Sequence, residues 1–353
     1  MRRSLTLCVV VLVSLAAAQL AAQSKAKAEN VPVIPHTSVP NFFKLPPDLY
    51  FGEGIGIATN SKGNVFVYHR SGDTRLFEFD PNGNFVKEWG VGNYGSEFAH
   101  QVRVDAQDNV WVVDEGTNML IKFNPQGRVA MVLGRRPEAV AGATQTNAPP
   151  VLDKKYQFGR PTDVAWDAQG NIFVSDGYVN SRVVKYDKNG RFVGQFAGGP
   201  AGPGDNQLST PHSIASDTQG NIYVGDRGNQ RVVVLTNDLK LKGMYPNVGN
   251  PWAVCVSPGA HQYLYVSNSN PDSNTPASSW DITGEIYKME LDGTIIGKFG
   301  KAGKALGEFS TVHEIDCRNP DQLFVSEISA WRAQKIILSP SKMQPASSGS
   351  AAR

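Results

Sequence analysis

One pattern returns six times along this 353-residue chain, and it limits the fold more than any other feature. Each unit has an apolar alternating strand, a turn of Gly, Asn or Asp, a second strand ending Val-x-Asp, and two further strands. The fullest unit is PTDVAWDAQGNIFVSDGYVNSRVVKYDKNGRFVGQF, starting at Pro161. PHSIASDTQGNIYVGDRGNQRVVVL from Pro211 and HQVRVDAQDNVWVVDEGTNMLIKFNPQGRVAMVLG from His100 align with it without gaps through the second strand. GIGIATNSKGNVFVYHRSGDTRLFEFDPNGNFVKEWG from Gly54 opens the series, and PWAVCVSPGAHQYLYVSNSN from Pro251 with GEIYKMELDGTIIGKFG forms a fifth unit around a polar insertion. VHEIDCRNPDQLFVSEISAWRAQKIILSP from Val312 is the sixth.

Four alternating strands in each unit of about 40 to 60 residues are the arithmetic of a propeller blade. The chain is therefore expected to be all-β, a six-bladed β-propeller over residues 50–340. The sixth unit stops after its third strand, so a strand from upstream must close the ring. The segment at residues 23–49 is expected to supply it, from residues 41–45. Residues 341–353 carry no strand pattern and read as a disordered tail.

The first 22 residues read as a secretory signal: Arg2 and Arg3 precede an apolar run that ends in small residues. That run is too short to span a bilayer, which needs roughly 20 apolar residues, so a secreted or periplasmic protein without a membrane span is expected. Loss of Arg2 and Arg3 leaves 32 basic against 32 acidic residues. This balance lacks the basic footprint of a nucleic-acid binder. Cys255 and Cys317 are the two cysteines outside the signal; they could pair, but two buried thiols are the plainer expectation.

Three of the six histidines share a phase. His100, His212 and His313 each stand at the entry to a first strand, in blades two, four and six, where blades one, three and five carry Gly54, Thr162 and Trp252. First strands line the channel of a propeller, and alternate blades are related by a near three-fold rotation. The three imidazoles should therefore converge at one depth. At the chain's histidine frequency, filling three of six equivalent positions by chance is on the order of one in ten thousand. Three histidines with a position left open suit a catalytic zinc, and imidazole suits iron, copper and nickel as well.

The loop after each Val-x-Asp should face the same end of the channel. Round the ring it carries Arg70, Glu115, Gly177 with Tyr178, Arg227, Asn268 and Glu327. Two guanidiniums can hold a carboxylate, and a phenol near a metal and two cations can lose its proton more easily than usual and serve as a base. The competing reading pairs Arg70 and Arg227 with the recurring Asp114, Asp176 and Asp226. Arg182 and Arg231 are expected to staple the blades, bonding Asp176 and Asp226.

The units resemble NHL-type repeats, and the channel motifs resemble those of peptidyl-α-hydroxyglycine α-amidating lyase over nearly the whole chain after residue 54. The matching stretches are YHR ending at Arg70, His100 before VRVDAQDNVWVVD, PTDVAWD with VSDGYVNSR, PHS with DRGNQR, and His313 before Glu314. The resemblance implies zinc on His100, His212 and His313, catalytic roles for Tyr178, Arg70 and Arg227, and a structural calcium on the carbonyls of Ile57 and Val102 and the carboxylate of Glu314. Glu314 stands where that family has an aspartate, and Val179 where it has a disulfide cysteine. Neither of that family's disulfides is expected, and the chain as given leaves no room for the copper monooxygenase domain.

The implied activity is a metal-dependent lyase that splits an N-acyl α-hydroxyglycine into an amide and glyoxylate. Its partner would be a small-molecule or peptide substrate, and the chain a monomer. Two alternatives remain open from sequence: a metal enzyme for another small acid such as ureidoglycolate, and a binding propeller with no activity, since fold does not imply function. The Pro-, Ser- and Ala-rich stretches at residues 135–158 and 268–283 are lids or solvated insertions.

Overall fold

The computed structural model describes residues 31–93, 95–135, 155–269 and 284–343. The stretch at residues 1–22 expected to be a signal, nearly all of both long insertions and residues 344–353 of the expected tail lie outside the described residues. Among the described residues, 24 strands form six four-stranded antiparallel sheets arranged as a propeller. Blade one holds β2 (Glu53–Thr59), β3 (Val65–Arg70), β4 (Arg75–Phe79) and β5 (Phe85–Trp89). Blade two holds β6 (Ala99–Val104), β7 (Val110–Asp114), β8 (Met119–Phe123) and β9 (Val129–Gly134). Blade three holds β10 (Asp163–Trp166), β11 (Ile172–Asp176), β12 (Arg182–Tyr186) and β13 (Phe192–Ala197). Blade four holds β14 (Pro211–Ser216), β15 (Ile222–Asp226), β16 (Arg231–Leu235) and β17 (Leu241–Tyr245). Blade five holds β18 (Pro251–Val256), β19 (Leu264–Asn268), β20 (Glu285–Met289) and β21 (Ile295–Phe299). Blade six holds β22 (Val312–Asn319), β23 (Gln322–Glu327), β24 (Arg332–Leu338) and the N-terminal β1 (His36–Ser38).

The repeat encodes its own turns. In blade three the Asp167 carboxylate accepts hydrogen bonds from the backbone N–H groups of Gln169 and Asn171 and from the Asn171 amide. Asp217 does the same for Gln219 and Asn221. Gly170 and Gly220 take φ of +81° and +83° in these turns, a left-handed conformation that costs glycine nothing. Blade two places Asp108 there at φ +60°, and its carboxylate accepts from the Ser61 backbone of blade one.

Each blade is apolar on both faces, so it must bury them against its neighbours. Six hydrophobic clusters fill the six inter-blade spaces; the one between blades one and two packs Phe66, Tyr68 and Trp89 against Val112, Ile121 and Phe123. The first strands of successive blades touch all the way round the ring and form the channel wall. The expected staples are present: Arg182 Nε lies 2.9 Å from Asp176 Oδ2, and Arg231 Nε 2.8 Å from Asp226 Oδ2. Blade six has its own version in Arg332 and Glu327, at 2.7 Å.

Two expectations are corrected. The strand that closes the ring lies upstream of residues 41–45: His36, Thr37 and Ser38 pair with Leu338, Ile337 and Ile336 of β24. Residues 41–45 instead bind blade one, where the Lys44 N–H donates to the Gly83 carbonyl and the Phe85 N–H to the Lys44 carbonyl. Phe43 packs on Phe79 and Phe324, bridging blades one and six. The hydrophobicity of Phe42, Phe43 and Leu45 therefore serves packing under the ring's seam, and the short polar His36–Ser38 serves pairing. Secondly, Cys255 of β18 and Cys317 of β22 form a disulfide. They stand on adjacent first strands with Cα atoms 6.0 Å apart, a proximity set by the ring and not by the 62 residues between them. Of the tail, Pro340–Lys342 forms one 3-10 turn. No helix of the described residues is long and apolar enough to cross a membrane.

Deleting residues 31–45 should lower the melting temperature by roughly 10 °C or more, because buried Ile34 contributes about 1.5–3 kcal/mol, half-buried Phe42, Phe43 and Leu45 add to it, and an unpaired edge is left on β24. A melt of the shortened chain within about 2 °C of the full one would show that the ring closes without this segment.

Candidate active site

A backbone irregularity aims the histidines. In β6 the pairing register skips from Ala99 to Gln101, in β14 from Pro211 to Ser213, and in β22 from Val312 to Glu314. His100, His212 and His313 are the skipped residues, and such a bulge turns its extra side chain away from the pleat. The three rings meet in the channel with centroids 4.7 to 4.8 Å apart. One ligand atom from each lies within 4.8 Å of the others, and all three residues are buried.

Their tautomers follow from their acceptors. His100 Nδ1 donates to the Thr162 carbonyl at 2.6 Å, His212 Nδ1 to the Trp252 carbonyl at 2.7 Å, and His313 Nδ1 to the Ile55 carbonyl at 2.8 Å. A carbonyl only accepts, so each Nδ1 carries the proton and each Nε2 keeps a lone pair. All three acceptors, Ile55, Thr162 and Trp252, come from blades one, three and five, which lack a histidine at this position. Burial is the main cause that holds all three imidazoles well below their ordinary pKa, so they are neutral. Among the described residues buried His212 Nε2 has no hydrogen-bond partner, which is costly for a polar atom unless a ligand takes it. Three neutral Nε2 donors oriented by carbonyls fit a metal ion.

Tyr178 stands beside this cluster, its hydroxyl 3.2 Å from His100 Nε2. Arg227 and Arg160 place their guanidinium carbons 5.5 and 4.6 Å from its ring centre. The phenol is nonetheless pushed above its ordinary pKa, by burial first and the Glu115 carboxylate second, against the pull of Arg227, Arg70 and Arg160. Two cations alone therefore do not ionise it; the expectation from sequence counted a metal beside it as well. Arg227 also lies 4.3 Å from the Trp252 ring centre.

Arg70 is held differently from either sequence reading. Its Nε pairs with Glu53 at 2.7 Å, its Nη1 with Glu115 at 3.1 Å and with the Ala99 carbonyl at 2.9 Å, and it lies on the Phe98 ring. The ion-pair alternative is thus realised through Glu53 and Glu115, not through Asp114. Arg160, which no motif signalled, pairs with the other Glu115 oxygen at 3.2 Å. Its left-handed backbone, φ +58°, is tied by the Arg160 N–H to Asn118 Oδ1.

The residues expected to bind calcium lie deeper in the channel, where a resident cation stands beside them. The Glu314 carboxylate already faces the guanidinium of Arg103, at 3.0 Å, and its other oxygen accepts from the Gln101 amide. Beyond this layer a cavity of 440 Å³ opens at the far end of the channel, lined by residues that include Arg103, Asp217 and Cys255 and none of the three histidines.

The NHL repeat family matches residues 208–235, within blade four and including His212. A probable peptidyl-alpha-hydroxyglycine alpha-amidating lyase of Caenorhabditis elegans is 30% identical over 173 residues, 42% of this chain and 45% of that protein. The chain is similar to proteins named as amidating lyases. A mouse peptidyl-glycine alpha-amidating monooxygenase is 26% identical over 338 residues, 86% of this chain and 32% of its own length. An alpha-amidating lyase 2 of Drosophila melanogaster is 25% identical over 341 residues, covering 88% of this chain and 77% of that lyase. The chain spans less than half the length of the first two of these relatives. A virginiamycin B lyase from Staphylococcus aureus, at TM-score 0.55 and 11% identity, covers 87% of this chain and all of its own. A gluconolactonase from Xanthomonas campestris, at 0.56 and 14%, covers 88% of this chain and 95% of its own. Those two likenesses speak for the propeller alone.

Proposed function

We propose that this chain is a zinc-dependent carbon–nitrogen lyase that splits an N-acyl α-hydroxyglycine into the amide and glyoxylate. The observation that carries the reading is the convergence of three neutral histidine Nε2 atoms with the Tyr178 hydroxyl 3.2 Å from one of them. The lyase relatives support the reaction class. The Cys255–Cys317 disulfide supports an oxidising, extracytoplasmic compartment for it.

The substrate is a carbinolamide, whose hydroxyl carbon also carries the amide nitrogen and a carboxylate. Removing the hydroxyl proton lets that oxygen form the aldehyde carbonyl of glyoxylate while the C–N bond breaks. The bonding pair leaves with the amide nitrogen, which takes up a proton, so the atoms balance without water or an oxidant. Zinc held by His100, His212 and His313 would supply Lewis acidity toward the substrate hydroxyl and the positive charge that draws the Tyr178 phenol down. Tyr178 Oη takes the hydroxyl proton and returns it to the departing nitrogen. Arg227 anchors the substrate carboxylate from beside Trp252 and Tyr178. Arg70, fixed by Glu53 and Glu115, adds positive potential at the same end of the channel.

The test combines metal analysis of the purified protein with glyoxylate release from α-hydroxyhippuric acid, before and after removal and return of zinc. Stoichiometric metal with zinc-restored release supports the lyase. Bound metal without release moves the substrate to another carbinolamide, such as ureidoglycolate, and a folded protein that binds no metal leaves a binding propeller.

A further inference from the structure

We infer that Arg103 takes the place of a structural calcium in this propeller, so that the ring is held from within by its own guanidinium. The inference concerns the deeper layer of the channel and stands apart from the proposed reaction. Arg103 leaves β6 in blade two and reaches the inner strands of four other blades. It meets Asp163 of β10 through two parallel bonds, Nε to Oδ1 at 3.0 Å and Nη2 to Oδ2 at 2.6 Å. Nη2 also meets Ser213 Oγ of β14 at 3.1 Å and the Val254 carbonyl of β18 at 3.4 Å. Nη1 lies 3.0 Å from Glu314 Oε1 of β22, an ion pair without a well-aligned N–H.

Asp163 and Glu314 are both fully buried. Buried carboxylates at the junction of several blades need a positive partner, and a planar fork with five donors can serve more than one at once. The remaining donors in this layer are also spoken for. The Asp163 oxygens accept from the Val164 and Ile214 N–H groups and from Ser213 Oγ. Gln101 donates to Glu314 Oε2 while its own oxygen accepts from the Val102 N–H. A divalent cation on Glu314 and the carbonyls of Ile57 and Val102 would sit against the guanidinium, with like charges at contact distance. One resident cation that ties five of the six inner strands does the work that calcium would do, and it cannot be chelated away.

The experiment uses the full mature chain, freed of metal on a chelating resin and given back zinc alone. The expected result is that the protein retains no calcium after desalting and melts at the same temperature with and without millimolar calcium chloride. In an Arg103→Ser variant the melting temperature should fall and then rise by roughly 5 °C or more in millimolar calcium, as mass action requires of an ion that binds the folded state. Arg103→Lys, which keeps the charge and loses the fork, should melt between the two and stay indifferent to calcium. Stoichiometric calcium in the wild type, a calcium-dependent rise in its melting temperature, or a serine variant as stable as wild type would each overturn the inference. If the serine variant does not fold, the wild-type calcium content and melts decide the matter.

Discussion

Changing Tyr178 to Phe should lower glyoxylate release by roughly 10²- to 10⁴-fold, the usual contribution of a positioned acid or base, while metal content stays at the wild-type level. The substitution removes one oxygen and leaves the ring. The stacking of Arg160 and Arg227 on that ring, at 4.6 and 5.5 Å, therefore has no reason to change, nor has the carbonyl bond that orients His100. The loss should appear in kcat more than in KM, since the hydroxyl acts on the reacting proton and Arg227 on the carboxylate. Steady-state kinetics on α-hydroxyhippuric acid beside elemental analysis would settle it. Wild-type turnover in the variant would remove Tyr178 from the mechanism.

Changing His212 to Ala should abolish both metal binding and turnover. Loss of an outer-shell partner alone costs about 10- to 100-fold in metal affinity, and here one of three donors goes. The unpartnered Nε2 of His212 also makes a distinctive pattern. Zinc at about 100 times its dissociation constant should add roughly 2.7 kcal/mol to wild-type stability, and that gain should vanish in the variant. Thermal melts with and without zinc read this directly. A variant that still melts higher with zinc would mean that the metal sits elsewhere.

The triad was visible before the fold because a propeller turns phase within a repeat into position round an axis. His100, His212 and His313 occupy one phase, and the structure places them within 4.8 Å. The bulges that aim them were not visible, since a skipped register has no mark in the residue pattern. Nor were their acceptors, because a backbone carbonyl looks the same at every position. Arg160 was missed for a related reason: its neighbours Glu115 and Tyr178 belong to loops of two different blades, and no spacing links them. Closure by a strand from upstream was readable from the missing fourth strand of blade six. Its place was misjudged because Phe42 and Phe43 look like a strand and serve as packing, while the polar His36–Ser38 pairs.

The chain's repeats by themselves determined six blades, their strand order, their turns and the converging histidines. The strand order and turns rest on interactions within one unit of some 40 to 60 residues, where alternation, Asp and Gly signals act locally, and the histidines converge because one phase recurs in alternate units. The tertiary structure alone decided the contacts between units: Cys255 with Cys317, Arg70 with Glu115, and Arg103 with Asp163 and Glu314. Those pairs depend on how far a side chain reaches across the channel and on which buried charge it meets first. No periodicity carries that information, because it arises only once the ring has closed.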